Sequence, residues 1–156
     1  MNSEPLIVQR CIGVLRKSRY RSEFTKEFGD LPAAVREDIS LSANISDGEF
    51  PMVCFYVGPS CWTLMTSERL VWCDESRCRS IPWNGISRVE SEEIAISTDG
   101  SLHRERNHLI VTSDDKARFE VRVDPHCFAP LLKVAGIMTL ATWDSKQRDS
   151  QSPTPP

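Results

Sequence analysis

His126 and Cys127 stand side by side in this 156-residue sequence, the residue types of a thiol nucleophile and its base. The segment around them carries a helical pattern. Adjacent residues on a helix point apart, so the two build no dyad. His103 and His108 are the other histidines. They lie too far apart to share one helical turn, and Glu105 and Arg106 between them offer ion-pair company. No GxSxG, HExxH or glycine-rich phosphate loop occurs. These observations predict a protein with no catalytic residues, not an enzyme.

Six cysteines remain: Cys11, Cys54, Cys61, Cys73, Cys78 and Cys127. No pair has CxxC spacing. Cys73 and Cys78 enclose two acids and an arginine, and a zinc site would need a second ligand pair that the sequence lacks. Cys54, Cys61 and Cys73 alternate with bulky apolar residues, which predicts small buried hydrophobes. No metal and no cofactor are expected.

Charge narrows the partners. Lys and Arg number 19 against 22 Asp and Glu, a net charge of −3, and no long segment is strongly basic. The electrostatic footprint of a nucleic-acid binder is missing, so nucleic acid is not an expected partner. No apolar run approaches the roughly 20 residues that span a bilayer. Glu4 precedes a short apolar run that Arg10 interrupts, the wrong order for a secretory signal. The expected compartment is the cytoplasm.

The elements that would position such side chains follow from periodicity. In 5–21, Ile7, Val8, Cys11, Ile12 and Leu15 recur at helical spacing among Arg and Lys residues, with Pro5 suited to the first turn. A second helix is expected from Asp30 as N-cap and Pro32 in the first turn, with Leu31, Val35 and Ile39 as its apolar face. From residue 49 the period turns to that of strands. The segments 50–58, 61–67, 69–74, 77–83, 86–91, 93–98, 108–113 and 117–123 read as short strands joined by tight turns, the pattern of an antiparallel barrel or sandwich. Asn84-Gly85 and Asp99-Gly100 carry the strongest short-range hairpin signal. Asp124-Pro125 opens a last helix, with Phe128, Leu131, Leu132, Ala135 and Met138 along one face and Trp143 at its end. The tail 144–156 lacks periodicity and is expected to be disordered.

Three pieces carry a family resemblance: "DGEF" (47–50), "WTLMTSERLVW" (62–72) and "SIPWNGISRVE" (80–90). Together, in this spacing, they resemble bacterial pleckstrin-homology-like (PH-like) and GRAM-like domains. The resemblance covers 47 to about 140. It implies a mainly β, α+β fold: a bent, seven-stranded antiparallel barrel or sandwich with a C-terminal capping helix. The division it implies is an N-terminal helical extension (1–46), the PH-like domain (47–143) and the tail (144–156). Met65-Thr66 replaces the usual Leu-Thr. In the resembling families the connection after Ile-Pro is looser than two residues, which would tuck Ile86 inward; a tight Asn84-Gly85 turn would instead leave Trp83 at the barrel rim.

The superfold hosts lipid binders, peptide binders and assembly modules, so fold does not choose the function. Phosphoinositide-binding members place Lys and Arg on the first two strands and their loop. The matching stretch here, 56–64, has no basic residue. The expectation is a non-catalytic module that binds a protein or peptide partner or self-associates, using a groove between the terminal helix and a sheet edge. Trp83, Trp143 and the helix face around Ile7, Cys11 and Leu15 are the candidate contacts. Weak contact with anionic lipid is the alternative, carried by Arg77, Arg79, Arg104 and Arg106.

Overall fold

The computed structural model describes residues 5–18, 22–91 and 107–150. In chain order these form α1 (Leu6–Lys17), β1 (Thr25–Glu27), α2 (Ala33–Ala43), β2 (Pro51–Gly58), β3 (Cys61–Thr66), β4 (Arg69–Asp74), β5 (Arg77–Pro82), β6 (Ile86–Ser91), β7 (His108–Ser113), β8 (Arg118–Arg122) and α3 (Phe128–Ser150). Single 3-10 turns cover Phe28–Asp30, Trp83–Gly85 and Pro125–Cys127. The fold is α+β: a five-stranded antiparallel sheet in the order β1-β2-β3-β4-β5 and a three-stranded one in the order β6-β7-β8. Among the described residues no ladder joins the two sheets into a closed barrel. The expected strand 93–98 and the Asp99-Gly100 turn lie outside the described residues.

The central strands of the larger sheet are buried on both faces, which explains why β2, β3 and β4 are apolar at nearly every position. Val53, Met65, Leu70 and Ile81 form one cross-strand row, and it faces the smaller sheet, α1 and α3. Cys54, Leu64 and Val71 form the next row, and it faces α2 with Leu31 and Ile39. Side chains alternate faces along each strand, so both sets are apolar only because both faces are covered. The smaller sheet shows the simpler alternation: Val121 is buried, while Arg118, Glu120 and Arg122 are exposed. Trp72 and Phe119 meet across the layer with ring centroids 5.6 Å apart.

The N-terminal segment is part of this body. β1 pairs with β2 through Thr25–Phe55 and Glu27–Val53, and Val8, Cys11 and Leu15 of α1 are fully buried. α2 begins after Pro32, and Asp30 belongs to the preceding 3-10 turn rather than serving as N-cap. Pro32 stands at the N-cap without a side-chain bond to the first turn, and its missing N–H removes one donor that this end would otherwise leave open.

Two polar knots hold the elements. Arg69 donates from Nε to Glu49 Oε1 at 2.9 Å and from Nη2 to Glu49 Oε2 at 3.0 Å. The same Nη2 reaches Ala43 O and Asn44 O at 2.9 and 2.8 Å, satisfying carbonyls at the end of α2. Burial alone would push the Glu49 carboxyl up. Hydrogen bonds from Arg69, Thr66 and Ser46, with the Arg69 charge, outweigh it and hold the group down at about 2. The second knot is buried Asp124. It accepts from Ser22 Oγ, from Thr25 Oγ1 at 3.0 Å and from His126 N at 2.9 Å, so one carboxylate caps the helical entry to α3 and binds the N-terminal segment to it.

The turns depart from expectation. Asn84-Gly85 makes no hairpin. Trp83–Gly85 is a 3-10 turn that carries the chain from the larger sheet to the smaller, and Ile86 points into the core. The tight hairpin turn is instead Glu75-Ser76, both left-handed with φ of 46° and 65°. The expected disordered tail is helical as far as Ser150, with Ser145 and Ser150 hydroxyls bonded back to Ala141 O and Lys146 O. Lys, Gln and Arg in that stretch are good helix formers, a preference that lack of apolar periodicity does not remove.

Candidate functional site

The helix that closes the fold also builds an open groove with an apolar lining. Asp124 and Pro125 start the helical run, and Pro130 falls in the first turn of α3, where its missing N–H removes no ladder bond. Phe128, Leu131, Val134, Ala135 and Met138 are buried along the core side. Beyond Met138 the apolar side chains turn outward: Leu140 is 66% and Trp143 57% exposed. Together with Ile86 they line a groove of about 350 Å³ between α3 and the start of β6.

The rim of the groove is polar and internally paired. Lys146 Nζ donates to Asn84 O and to Asp114 Oδ2, the latter at 3.2 Å. Thr139 Oγ1 donates to Ala135 O at 2.8 Å, and Ser87 Oγ reaches Thr112 O and Ser113 O at 3.0 and 3.1 Å. A register shift between Ile86 and Arg88 marks a bulge at Ser87, next to the groove. Among the described residues β6 is the outer strand of its sheet. The groove therefore offers an aromatic platform, a strand at hand and one mutually neutralised ion pair.

A second concavity of about 380 Å³ lies between α1 and β2. It is closed on one side by Arg16, which grips Glu27 through Nε at 2.6 Å and Nη2 at 2.8 Å.

The expected contacts separate. Trp143 lies in the groove. Trp83, expected at the rim, is wholly buried and cannot touch a partner. Its Nε1 donates to Thr66 O at 2.8 Å and its backbone N to Glu68 O at 3.0 Å, so it plugs the core under the β3–β4 turn. Cys11 and Leu15 are buried as well, which removes that side of α1 as a docking face. Arg77 and Arg79 are exposed on β5, opposite Asp74 and Trp72, and do not border the groove. Arg104 and Arg106, with His103, lie outside the described residues.

His126 and Cys127 do point apart: the histidine is exposed and the thiol fully buried. Burial, reinforced by the Asp124 charge, pushes the Cys127 thiol up to about 11. Burial likewise pushes Cys11 up to about 11 and raises Cys54 further. Cys54 and Cys73 are buried as expected, whereas Cys61 is only half-buried, at the start of β3. Sequence reasoning missed Leu140, Lys146 and Asn84. The available signal was that Leu140 and Trp143 fall off the helix face assigned to the core.

No protein-family model matches the chain, and no curated protein matches it. Among solved structures, the chain is similar to the C-terminal domain of an unknown protein from Leishmania infantum. The identity is 13% and the TM-score 0.40, over 65% of this chain and 94% of that one. A likeness of that size carries no argument about fold or function.

Proposed function

We propose that the chain is a non-catalytic, PH-like interaction module whose α3–β6 groove takes a peptide segment of a protein partner. The observation that carries this is Trp143. A large aromatic ring stands more than half open beside Leu140, at the mouth of a groove whose polar rim is already satisfied. Exposed aromatic residues of this kind dominate interface energetics. The order of elements supports the PH-like assignment: an antiparallel meander from β2 to β5, a second from β6 to β8, then one helix closing the layers. The occupant is an extended or helical peptide that seats one bulky apolar side chain between Trp143 and Leu140.

Selection from a displayed peptide library tests it. Enriched peptides share an apolar anchor, and Trp143→Ala weakens them by about 30-fold, the effect of losing a hot spot of about 2 kcal/mol. Three results overturn the assignment. One is the absence of any Trp143-dependent peptide. Another is a concentration-dependent dimer lost with Trp143→Ala, which makes the groove a self-association surface. The third is co-sedimentation with phosphatidylserine vesicles lost on replacing Arg77 and Arg79, which moves the site to a membrane surface.

A further inference from the structure

Cys73 and Cys78 are direct partners across the β4–β5 hairpin. The hairpin turns on Glu75-Ser76, so Asp74 and Arg77 form its hydrogen-bonded closing pair. Pair types alternate along an antiparallel ladder, which makes Cys73–Cys78 the non-hydrogen-bonded pair. Such pairs bring Cα atoms to about 4.5 Å with side chains on one face, at the short end of the span a disulfide bridges. The two thiols differ in access: Cys73 is 5% exposed and packed behind Trp62 and Val71, while Cys78 is open to solvent. Cys61, next to Trp62 in the chain, alternates to the other face, where Arg122 Nη1 donates to its sulfur at 3.5 Å.

We propose that Cys73 and Cys78 are a redox-active thiol pair that closes to a cross-strand disulfide in the presence of a small-molecule disulfide such as oxidised glutathione. The Cys78 thiolate attacks one glutathione sulfur. The glutathione S–S bond breaks, and one glutathione leaves as thiolate and takes up a proton. Cys73 then gives its proton to solvent and attacks the Cys78 sulfur of the mixed disulfide. The second glutathione leaves and is protonated. Two protein thiols are oxidised and one glutathione disulfide is reduced to two glutathiones, so atoms and electrons balance. Access sets the order, because only Cys78 meets an oxidant in solution. Burial, with the neighbouring thiol, holds the Cys73 thiol up at about 12, so Cys73 is not the thiolate that reacts first. Loop closure is short and the partner is already in register, so the second step competes well with capture of another glutathione.

The test uses the reduced full chain and oxidised glutathione at neutral pH, followed by thiol blocking and tryptic mass mapping. Cleavage after Arg77 leaves the two cysteines on separate peptides, 70–77 and 78–79, so the bond joins them visibly. The expected product is that joined pair, with glutathione released. Cys78→Ser abolishes it, with circular dichroism confirming the fold of a variant changed only at an exposed site. Cys61→Ser leaves the rate within about twofold. Glutathione retained on Cys78 with Cys73 free overturns the proposal. So does joining of Cys78 to Cys61, or to a second copy, at the same rate.

Discussion

The Trp83–Gly85 turn and the Leu140–Lys146 stretch of α3 touch each other, yet their tryptophans have opposite fates. Trp83 is entirely enclosed, and its ring N–H finds a backbone acceptor. Trp143 is more than half exposed, in a groove that Asn84, the residue after Trp83, also lines. The turn carries the chain between sheets, so whatever precedes it is driven inward. The helix has used up its core face by Met138, so whatever follows has nothing left to bury against. Position relative to the layers, not residue type, separates frame from surface.

Variants break the comparison most strongly on the buried side. Trp83→Ala lowers unfolding free energy by about 3–5 kcal/mol in a urea titration, from lost burial and the cavity left behind. Trp83→Phe, which keeps a ring but strands Thr66 O, lowers it by about 1–2 kcal/mol. Next comes the Glu49–Arg69 knot. Arg69→Met leaves a buried carboxylate and the α2 carbonyls unpaired and destabilises by about 3 kcal/mol, the low end for a broken buried pair because Arg69 is partly solvated.

The same knot has a pH signature. The folded Glu49 carboxyl lies at about 2, below its ordinary 4.5. Its contribution is therefore complete above pH 4.5 and fades as pH falls from 4.5 toward 2. Urea midpoints measured across that window drop in the parent and flatten in Glu49→Gln. Asp124→Ala frees Ser22, Thr25 and the His126 N–H at once and costs about 1–3 kcal/mol by the same titration. Trp143→Ala sits at the far end: stability stays within about 0.5 kcal/mol, and only binding changes. A Trp143 variant that unfolds as readily as Trp83→Ala would erase the distinction.

Much of the frame was legible from periodicity. The alternation of Phe119, Val121 and Val123 marked β8, and Asp124-Pro125 marked the entry to the last helix. The doubly apolar strands at 50–74 were legible as strands, but their cause was not, because the α2 cover that makes both faces interior is a tertiary fact. The turns were misleading for a related reason. Asn84-Gly85 has the ideal residues for a hairpin, yet the chain there changes sheets. Glu75-Ser76 has poor ones, yet it sits between strands whose pairing enforces positive φ. Of the site, Trp143 was visible as an apolar residue at a helix end. The groove was not, since it depends on Ile86 turning inward and on Lys146 reaching Asn84, neither of which a local pattern encodes.

The arrangement of the larger sheet has a consequence for self-templating. One of its outer strands, β1, is short, at Thr25–Glu27. Among the described residues β5 has no partner strand on its far side. An unguarded edge of that kind recruits other chains into mixed aggregates. β5 carries Arg77 and Arg79 into solvent and ends on Pro82, which has no N–H to offer. Arg77 and Arg79 thus place two charges on an otherwise unpaired edge, residues of the kind that oppose strand-to-strand aggregation.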